Sequence, residues 1–391
     1  MPICHEMLDL GKRPVECCND LSERAMWSKH STTIWRANHF LGSSTFYPVY
    51  RYQDYYSYSP LSLILFKGGL RVNPHAAEKT SSSNFFFWPG SDTIDKDIVR
   101  IGGPPKPGFS IVDADTFARR LAEAMCEDIA AIEADHSNFT NIILCGGKDS
   151  LNLTLLPWRN PVMVASAPPN YDLVKTFMTD NKLSYDVIRL DDNDDSLLES
   201  EILVNCCRNN LEHCRWGPHL KKISQAYDGK IIFWKGQAAD ILTTPYWKTF
   251  AYKRSPWLKL LRRGLGNTIS NRVFKYFFEE NNIAQRRVFK GLWSVVAMWQ
   301  GAHVSIVREL TDALVLSGYH GPAVQKIWSQ VDLKRAVQND IRPIVGRHLH
   351  GEEVVYPSTN PGPSPSKIRE GLSDLQPFLK ALRSAGIAVY E

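Results

Sequence analysis

The chain has 391 residues, of which 43% are hydrophobic and 22% charged, with a formal net charge of +5. That composition excludes a disordered or fibrous protein, and the length suffices for two or three domains with real cores. No run approaches the ~18 apolar residues of a membrane span; the longest, Leu61 to Phe66, is strand-sized.

The opening residues Met1-Pro2-Ile3-Cys4-His5-Glu6 lack a basic stretch followed by an apolar one, so export is not expected. Cys17-Cys18 and Cys206-Cys207 are adjacent pairs and no Cys-x-x-Cys occurs, which argues against a zinc ribbon, a redox pair or a disulfide scaffold. Cys206, Cys207, His213 and Cys214 can gather round a metal; the alternative is that they are helix residues, some of them buried. Reduced thiols and a cytoplasmic location are the expectation.

In chain order, residues 1–108 form a first, strand-rich domain. Phe46, Tyr47, Tyr50, Tyr52, Tyr55, Tyr56 and Tyr58 crowd one stretch, and Phe85-Phe86-Phe87-Trp88-Pro89-Gly90 makes another. Aromatic runs broken by Ser, Asn, Pro and Gly read as short strands and turns. Gly102-Gly103-Pro104-Pro105-Lys106-Pro107-Gly108 is a linker. A second domain spans 109–391. It opens on a helix capped by Asp113 or Asp115, with Phe117, Leu121, Met125, Ile129 and Ile132 at helical spacing.

Strands and helices then alternate. Strand Asn141–Leu144 feeds Cys145-Gly146-Gly147-Lys148-Asp149-Ser150, after which Leu151–Leu156 can open a helix. Strand Pro161–Ser166, helix Tyr171–Asn181, strand Tyr185–Leu190, helix Pro218–Tyr227 and strand Lys230–Trp234 follow. Such alternation predicts an α/β fold with a doubly wound, mostly parallel sheet, whose ligands bind at the carboxyl ends of strands. From about residue 250 the pattern predicts mostly helix: Asn271–Glu280, Val288–Gln300, Val304–Val315 and Gln325–Gln338.

Between Lys253 and Lys290 stand ten basic residues (253, 254, 259, 262, 263, 272, 275, 286, 287 and 290) against Glu279 and Glu280. This local excess is larger than that of the whole chain, so the remainder is mildly acidic. Tyr252, Trp257, Phe274, Tyr276, Phe277, Phe278 and Phe289 are interleaved. Segment 253–290 is therefore a candidate surface for RNA, an acidic partner or a phosphorylated substrate. The alternative is a helical segment with aromatics packed inward and a solvated basic face.

Two loops carry the chemistry. Gly146 and Gly147 let the backbone turn sharply and bring several N–H groups toward one oxyanion, and the helix start beyond adds further donors. This is a phosphate cradle by residue type, though neither a Walker A spacing nor Gly-x-Gly-x-x-Gly. A plain strand-to-helix turn is the alternative. In the second loop, strand Ile231–Trp234 runs into Lys235-Gly236-Gln237-Ala238-Ala239-Asp240. If both loops top neighbouring strands, Asp149 and Asp240 converge, and Mg²⁺ commonly takes one or two carboxylates together with phosphate oxygens and water. Alternatively, Asp240 caps the next helix.

The first loop resembles the Ser-Gly-Gly-x-Asp-Ser loop of N-type ATP pyrophosphatases, with Cys145 in place of the first serine. Together the two loops resemble the synthetase domain of the asparagine synthetase family, and also β-lactam synthetases and lasso-peptide cyclases. Gly236, Ala239 and Asp240 match the family's second loop, Tyr246 stands at the place of a family tyrosine, and the order and spacing of the two loops agree; the resemblance covers roughly residues 110–375 and weakens after 250. The resemblance implies an adenine nucleotide alpha hydrolase-like fold that binds ATP and Mg²⁺. It implies an ATP and pyrophosphate site of Cys145, Gly146, Gly147, Asp149, Ser150, Gly236 and Gln237, with the backbone of Val164 and Ala165 at the adenine. Asp149 and Asp240 inherit the metal role.

Departures from the family bear on activity. Pro2 and Ile3 precede Cys4, so the N-terminal cysteine nucleophile of a glutaminase is missing. Gln237 replaces the glutamate of asparagine synthetases and the tyrosine of β-lactam synthetases. Lys367, with Arg369 in reserve, stands for the family's active-site lysine, and a surface helix start is the alternative. Lys148 is a second candidate cation, able to reach a terminal phosphate or to be solvated. The implied activity is an AMP- and pyrophosphate-forming ligase that joins a small-molecule or peptide carboxylate to an amine donor. The alternatives are an enzyme that modifies a nucleobase or tRNA, and a non-catalytic nucleotide-binding homologue.

Overall fold

A computed structural model of the chain describes residues 14–22, 27, 33–41, 49–57, 60–75, 93, 95–101, 105–190, 217–248, 264, 266, 268–269, 272, 282–299, 311, 313–358, 376–384 and 386–390. At its centre lies a five-stranded sheet of β7 (Thr140–Leu144), β8 (Val162–Ser166), β9 (Asp186–Arg189), β10 (Ile231–Lys235) and β11 (Leu314–Ser317). Its strand order is β11-β10-β7-β8-β9, and every neighbouring pair is parallel. The fold is thus α/β with a parallel sheet. β10 and β11 are buried at every position and β7 at all but its first, as strands covered on both faces must be, whereas β9 at the edge is part-exposed.

The chain runs outward from β7 to β8 and β9, then returns to β10 on the other side of β7 and continues to β11. The order therefore reverses between β7 and β10. Such a reversal opens a crevice beyond the carboxyl ends of the two strands, because their loops leave in opposite directions. Register makes the crevice level, since Leu144 at the end of β7 pairs with both Lys235 and Ala165.

Helix labels run in chain order, beginning with α1 (Pro60–Lys67) and α2 (Ala114–Asp135). The Asp113 side chain caps α2 by accepting from Thr116 N at 2.7 Å. Phe117, Leu121, Met125, Ile129 and Ile132 form its buried stripe, as their spacing predicts. α3 (Lys148–Leu151) continues as a 3-10 turn at Asn152–Leu155, and α4 (Asn170–Asp180) and α5 (Gly217–Ala226) link the next strands. After β10 come α6 (Ala239–Thr243), α7 (Asn282–Trp299), α8 (Pro322–Gln330), α9 (Leu333–Ala336), α10 (Arg342–His350) and α11 (Gln376–Ser384).

Two expectations for the C-terminal part change. Leu314 and Val315, expected to end a helix, belong to β11 and complete the sheet. The helix expected over Gln325–Gln338 is two helices. Val331 bridges Ile111 between them, and Asp332 starts α9 by accepting from Lys334 N. Of the helix expected at Asn271–Glu280, only Arg272 lies among the described residues.

The N-terminal region holds a second five-stranded sheet of β1 (Glu16–Leu21), β2 (Trp35–Phe40), β3 (Val49–Tyr52), β4 (Tyr55–Ser57) and β6 (Val99–Ile101), in the order β1-β2-β4-β3-β6. The tyrosine-rich run expected to form strands supplies β3 and β4. β5 (Gly69–Arg71) pairs instead with β12 (Ala388–Tyr390) from the far end of the chain. Trp27 of this region meets Trp234 of β10 edge-on at 6.4 Å between ring centroids, so its apolar residues continue the core of the parallel sheet. Among the described residues no helix is long and apolar enough to cross a membrane.

Candidate active site

The two loops meet over the β7–β10 crevice. Gly147 has φ of 143°, a conformation that a side chain disfavours, and its carbonyl accepts from Ser150 N and from the Ser150 hydroxyl at 3.2 and 3.0 Å. Asn170 Nδ2 donates to Gly146 O at 2.9 Å, and Ser166 Oγ to Cys145 O at 2.7 Å, which ties the loop to the end of β8. The second loop is held from β11, where Ser317 Oγ donates to Gln237 O at 2.9 Å. Gly236 is required by proximity: a Cβ there would stand 2.5 Å from Asp149 O and from Ser150 Cα.

This contact brings Asp149 and Asp240 into one recess. Burial raises the pKa of Asp240 to about 7, with the charge of Asp149 as the next cause, while the Ile241 backbone hydrogen bond and Arg342 oppose the rise. Partial burial also raises Asp149, whose side chain is still 43% exposed, and Arg342 counters the rise. Two carboxylates that repel one another in a single recess are the donor chemistry a divalent cation relieves. Among the described residues no group of three or more His, Cys, Asp or Glu is placed to hold a metal. A hard cation bound here would therefore complete its shell with phosphate oxygens and water, as Mg²⁺ commonly does. The residues fit that group.

Cys145 is fully buried. Burial pushes its thiol up to about 12, and Sγ donates weakly to Ser150 O at 3.9 Å. It is a small packing residue, with no thiolate at neutral pH. Val164 and Ala165 are buried within β8, and Ala165 O accepts from Cys145 N at 2.8 Å. Lys148 Nζ donates to Ser358 O at 3.1 Å, which directs it to the 352–358 segment. Lys367 and Arg369 lie outside the described residues, as do Cys206, Cys207, His213 and Cys214. Most of segment 253–290 does too. Within it, α7 exposes Arg286 and Lys290 while burying Val288 and Phe289, the arrangement of a solvated basic face over a packed one.

The structure adds residues that neither loop motif contains. Arg342, at the start of α10, places Nη1 2.7 Å from Asp149 Oδ1. Its other edge grips Asp340, with Nη2 2.6 Å from Oδ2 and Nε 3.0 and 3.1 Å from the two oxygens. Burial works against the guanidinium charge, but Asp340 and Asp149 more than offset it and hold the pKa above its ordinary value. Ile341 N donates to Thr243 O at 2.8 Å, so the start of α10 is fastened to the end of α6. Asn152 Nδ2 and Tyr356 Oη both donate to Arg342 O, at 3.3 and 3.2 Å, and Tyr356 also bonds Asn152 Oδ1. Tyr319 is fully buried beside this group, and burial, then the Asp149 charge, raises its pKa. The only sequence signal was Asp340 before Pro343, a helix-start pattern that says nothing about where α10 docks.

A scan against protein-family models and a search of curated proteins find no match to this chain.

Proposed function

We propose that the crevice binds ATP with Mg²⁺, cleaves it to AMP and pyrophosphate, and uses the reaction to join a carboxylate to an amine. The observation that carries this reading is the Leu144–Lys235 register. It sets two glycine-bearing strand-end loops side by side, with one aspartate beyond each. The resemblance of both loops to the asparagine synthetase-like ATP pyrophosphatases supplies the reaction type.

In the first step a carboxylate oxygen of the substrate bonds to the α-phosphorus, the α–β P–O bond breaks and pyrophosphate leaves. In the second, the amine nitrogen attacks the carbonyl carbon, AMP leaves and the amine loses a proton. A divalent metal bound here would supply charge neutralisation on the leaving phosphates. Asp149 and Asp240 would hold it, while the 146–147 and 236–237 backbone turns position the polyphosphate, so catalysis is mainly orientation and charge stabilisation. The side chains of Cys145 and Ser150 take no proton in this scheme: the first is buried and the second is committed to Gly147 O. Phe289 is buried against Phe109 and Trp328 while Arg286 and Lys290 of the same helix are exposed, which favours the solvated-face reading of these residues over a base-stacking surface.

The test is pyrophosphate release from ATP in the presence of Mg²⁺ and a panel of carboxylates and amines. D149N and D240N should each lower it by about a hundredfold or more, the scale of losing one charge-stabilising contact. Turnover to ADP and phosphate would overturn the proposal.

A further inference from the structure

Arg342 is built to change partners. Its backbone is fixed at both ends of the residue, the N–H donating to Asp340 Oδ1 at 3.0 Å and the carbonyl accepting from Asn152 and Tyr356. One edge of the guanidinium, Nε with Nη2, is locked on the Asp340 carboxylate. Only the Nη1 end reaches Asp149, through a single 2.7 Å contact. The side chain is 14% exposed and that of Asp149 is 43% exposed, so the arginine lines the wall of the crevice behind the more open carboxylate. A fixed cation touching one of two repelling carboxylates holds the place a divalent ion would take, and two cations cannot share one carboxylate oxygen without cost.

We propose that Arg342 is a charge-exchange residue: it neutralises Asp149 until a divalent cation takes that carboxylate, and then offers its Nη1 donors to a phosphate oxygen. This rests on the metal and polyphosphate reading of the crevice and adds a residue and an order to it. The rigid grip of Asp340 keeps the guanidinium plane in place through the exchange, so the arginine needs no large motion to meet the incoming anion. Planar two-edged donation of this kind is available to arginine and not to lysine.

The two halves of the exchange have opposite signs, and binding alone reads them. On the full chain, Mn²⁺ is titrated without nucleotide and inorganic pyrophosphate is titrated with Mn²⁺ held saturating, with thermal unfolding followed to establish folding. R342Q should bind Mn²⁺ several-fold more tightly, because a competing cation is gone, and pyrophosphate about tenfold more weakly, as expected for one lost charge-assisted contact. R342K, which keeps the charge without the fork, should weaken pyrophosphate and leave Mn²⁺ near the parental value. Loss of both affinities in folded R342Q, or no change in either, makes Arg342 a structural ion pair and overturns the exchange. If R342Q does not fold, R342K decides, and unchanged pyrophosphate affinity there is the overturning result. A parent protein that binds neither probe overturns the reading of the crevice itself, an outcome distinct from failure of the exchange.

Discussion

Gly236 and the backbone of Asp149 are in contact without a side chain between them, and this single approach joins the two loops. A Cβ on residue 236 would lie 2.5 Å from Asp149 O and Ser150 Cα, and both of these are backbone atoms that cannot swing aside. Gly236→Ala must push one loop off the other. The expected stability loss is about 1–3 kcal/mol, that of an overpacked site, and ATP binding should fall further than thermal stability does. Calorimetric unfolding together with nucleotide titration checks it; unaltered ATP affinity in the alanine variant would mean that the loops do not act as one site.

Asp240 carries a pH dependence of definite sign. The folded protein keeps its proton up to about pH 7, whereas an unfolded carboxyl releases it near ~3.9. Between those values the folded state binds more protons than the unfolded one, so in the absence of metal stability falls as pH rises from about 4 to about 7 and stays reduced above that. Asp240→Asn removes this cost. At pH 8 the variant should exceed the parent by about 1–2 kcal/mol, the linkage energy reduced by solvent at the carboxylate, and at pH 4 the two should coincide. Mg²⁺ at pH 8 should raise the parent's unfolding midpoint and leave that of the variant unchanged. Thermal melts across pH measure all three, and a gap that widens toward acid would refute the assignment.

Asp128 supports the fold from a distance. Lying on α2 and 5% exposed, it accepts from Ala323 N and Val324 N at 3.0 and 3.1 Å, and so caps the first turn of α8 from another helix. Gly321 leaves the room its carboxylate needs. Asp128→Ala should cost about 1–2 kcal/mol, the upper range for a lost cap, with Asp128→Asn recovering part of it. Denaturant titration reads the difference. Stability equal to the parent's in the alanine variant would show that the cap carries no weight.

Much of this was legible in the residues. The apolar runs 141–144 and 231–234 are strands because both faces of a central parallel strand are buried, and small residues after each mark its loop. β11 was not legible: Leu314-Val315-Leu316-Ser317 is a short apolar run that periodicity cannot separate from a buried helix end. The break after Gln330 was hidden for a similar reason, since Val331 leaves the helix only to bridge Ile111, more than two hundred positions earlier in the chain. Nothing in local spacing marks Tyr319, and Asn152 falls only in the helix expected after the first loop; their place near Asp149 and Arg342 comes from packing.

By itself the sequence determined the alternation of strands and helices and the two glycine loops that end in Asp149 and Asp240. Those follow from side-chain periodicity and backbone freedom, which act over a few residues. Only the tertiary structure decided that β7 and β10 are neighbours in level register, that a cap for α8 comes from α2, and that Arg342 reaches Asp149 across 193 positions. The physical reason is that strand order and helix docking depend on burying whole faces at once, and a charge pair formed that way leaves no mark in local spacing.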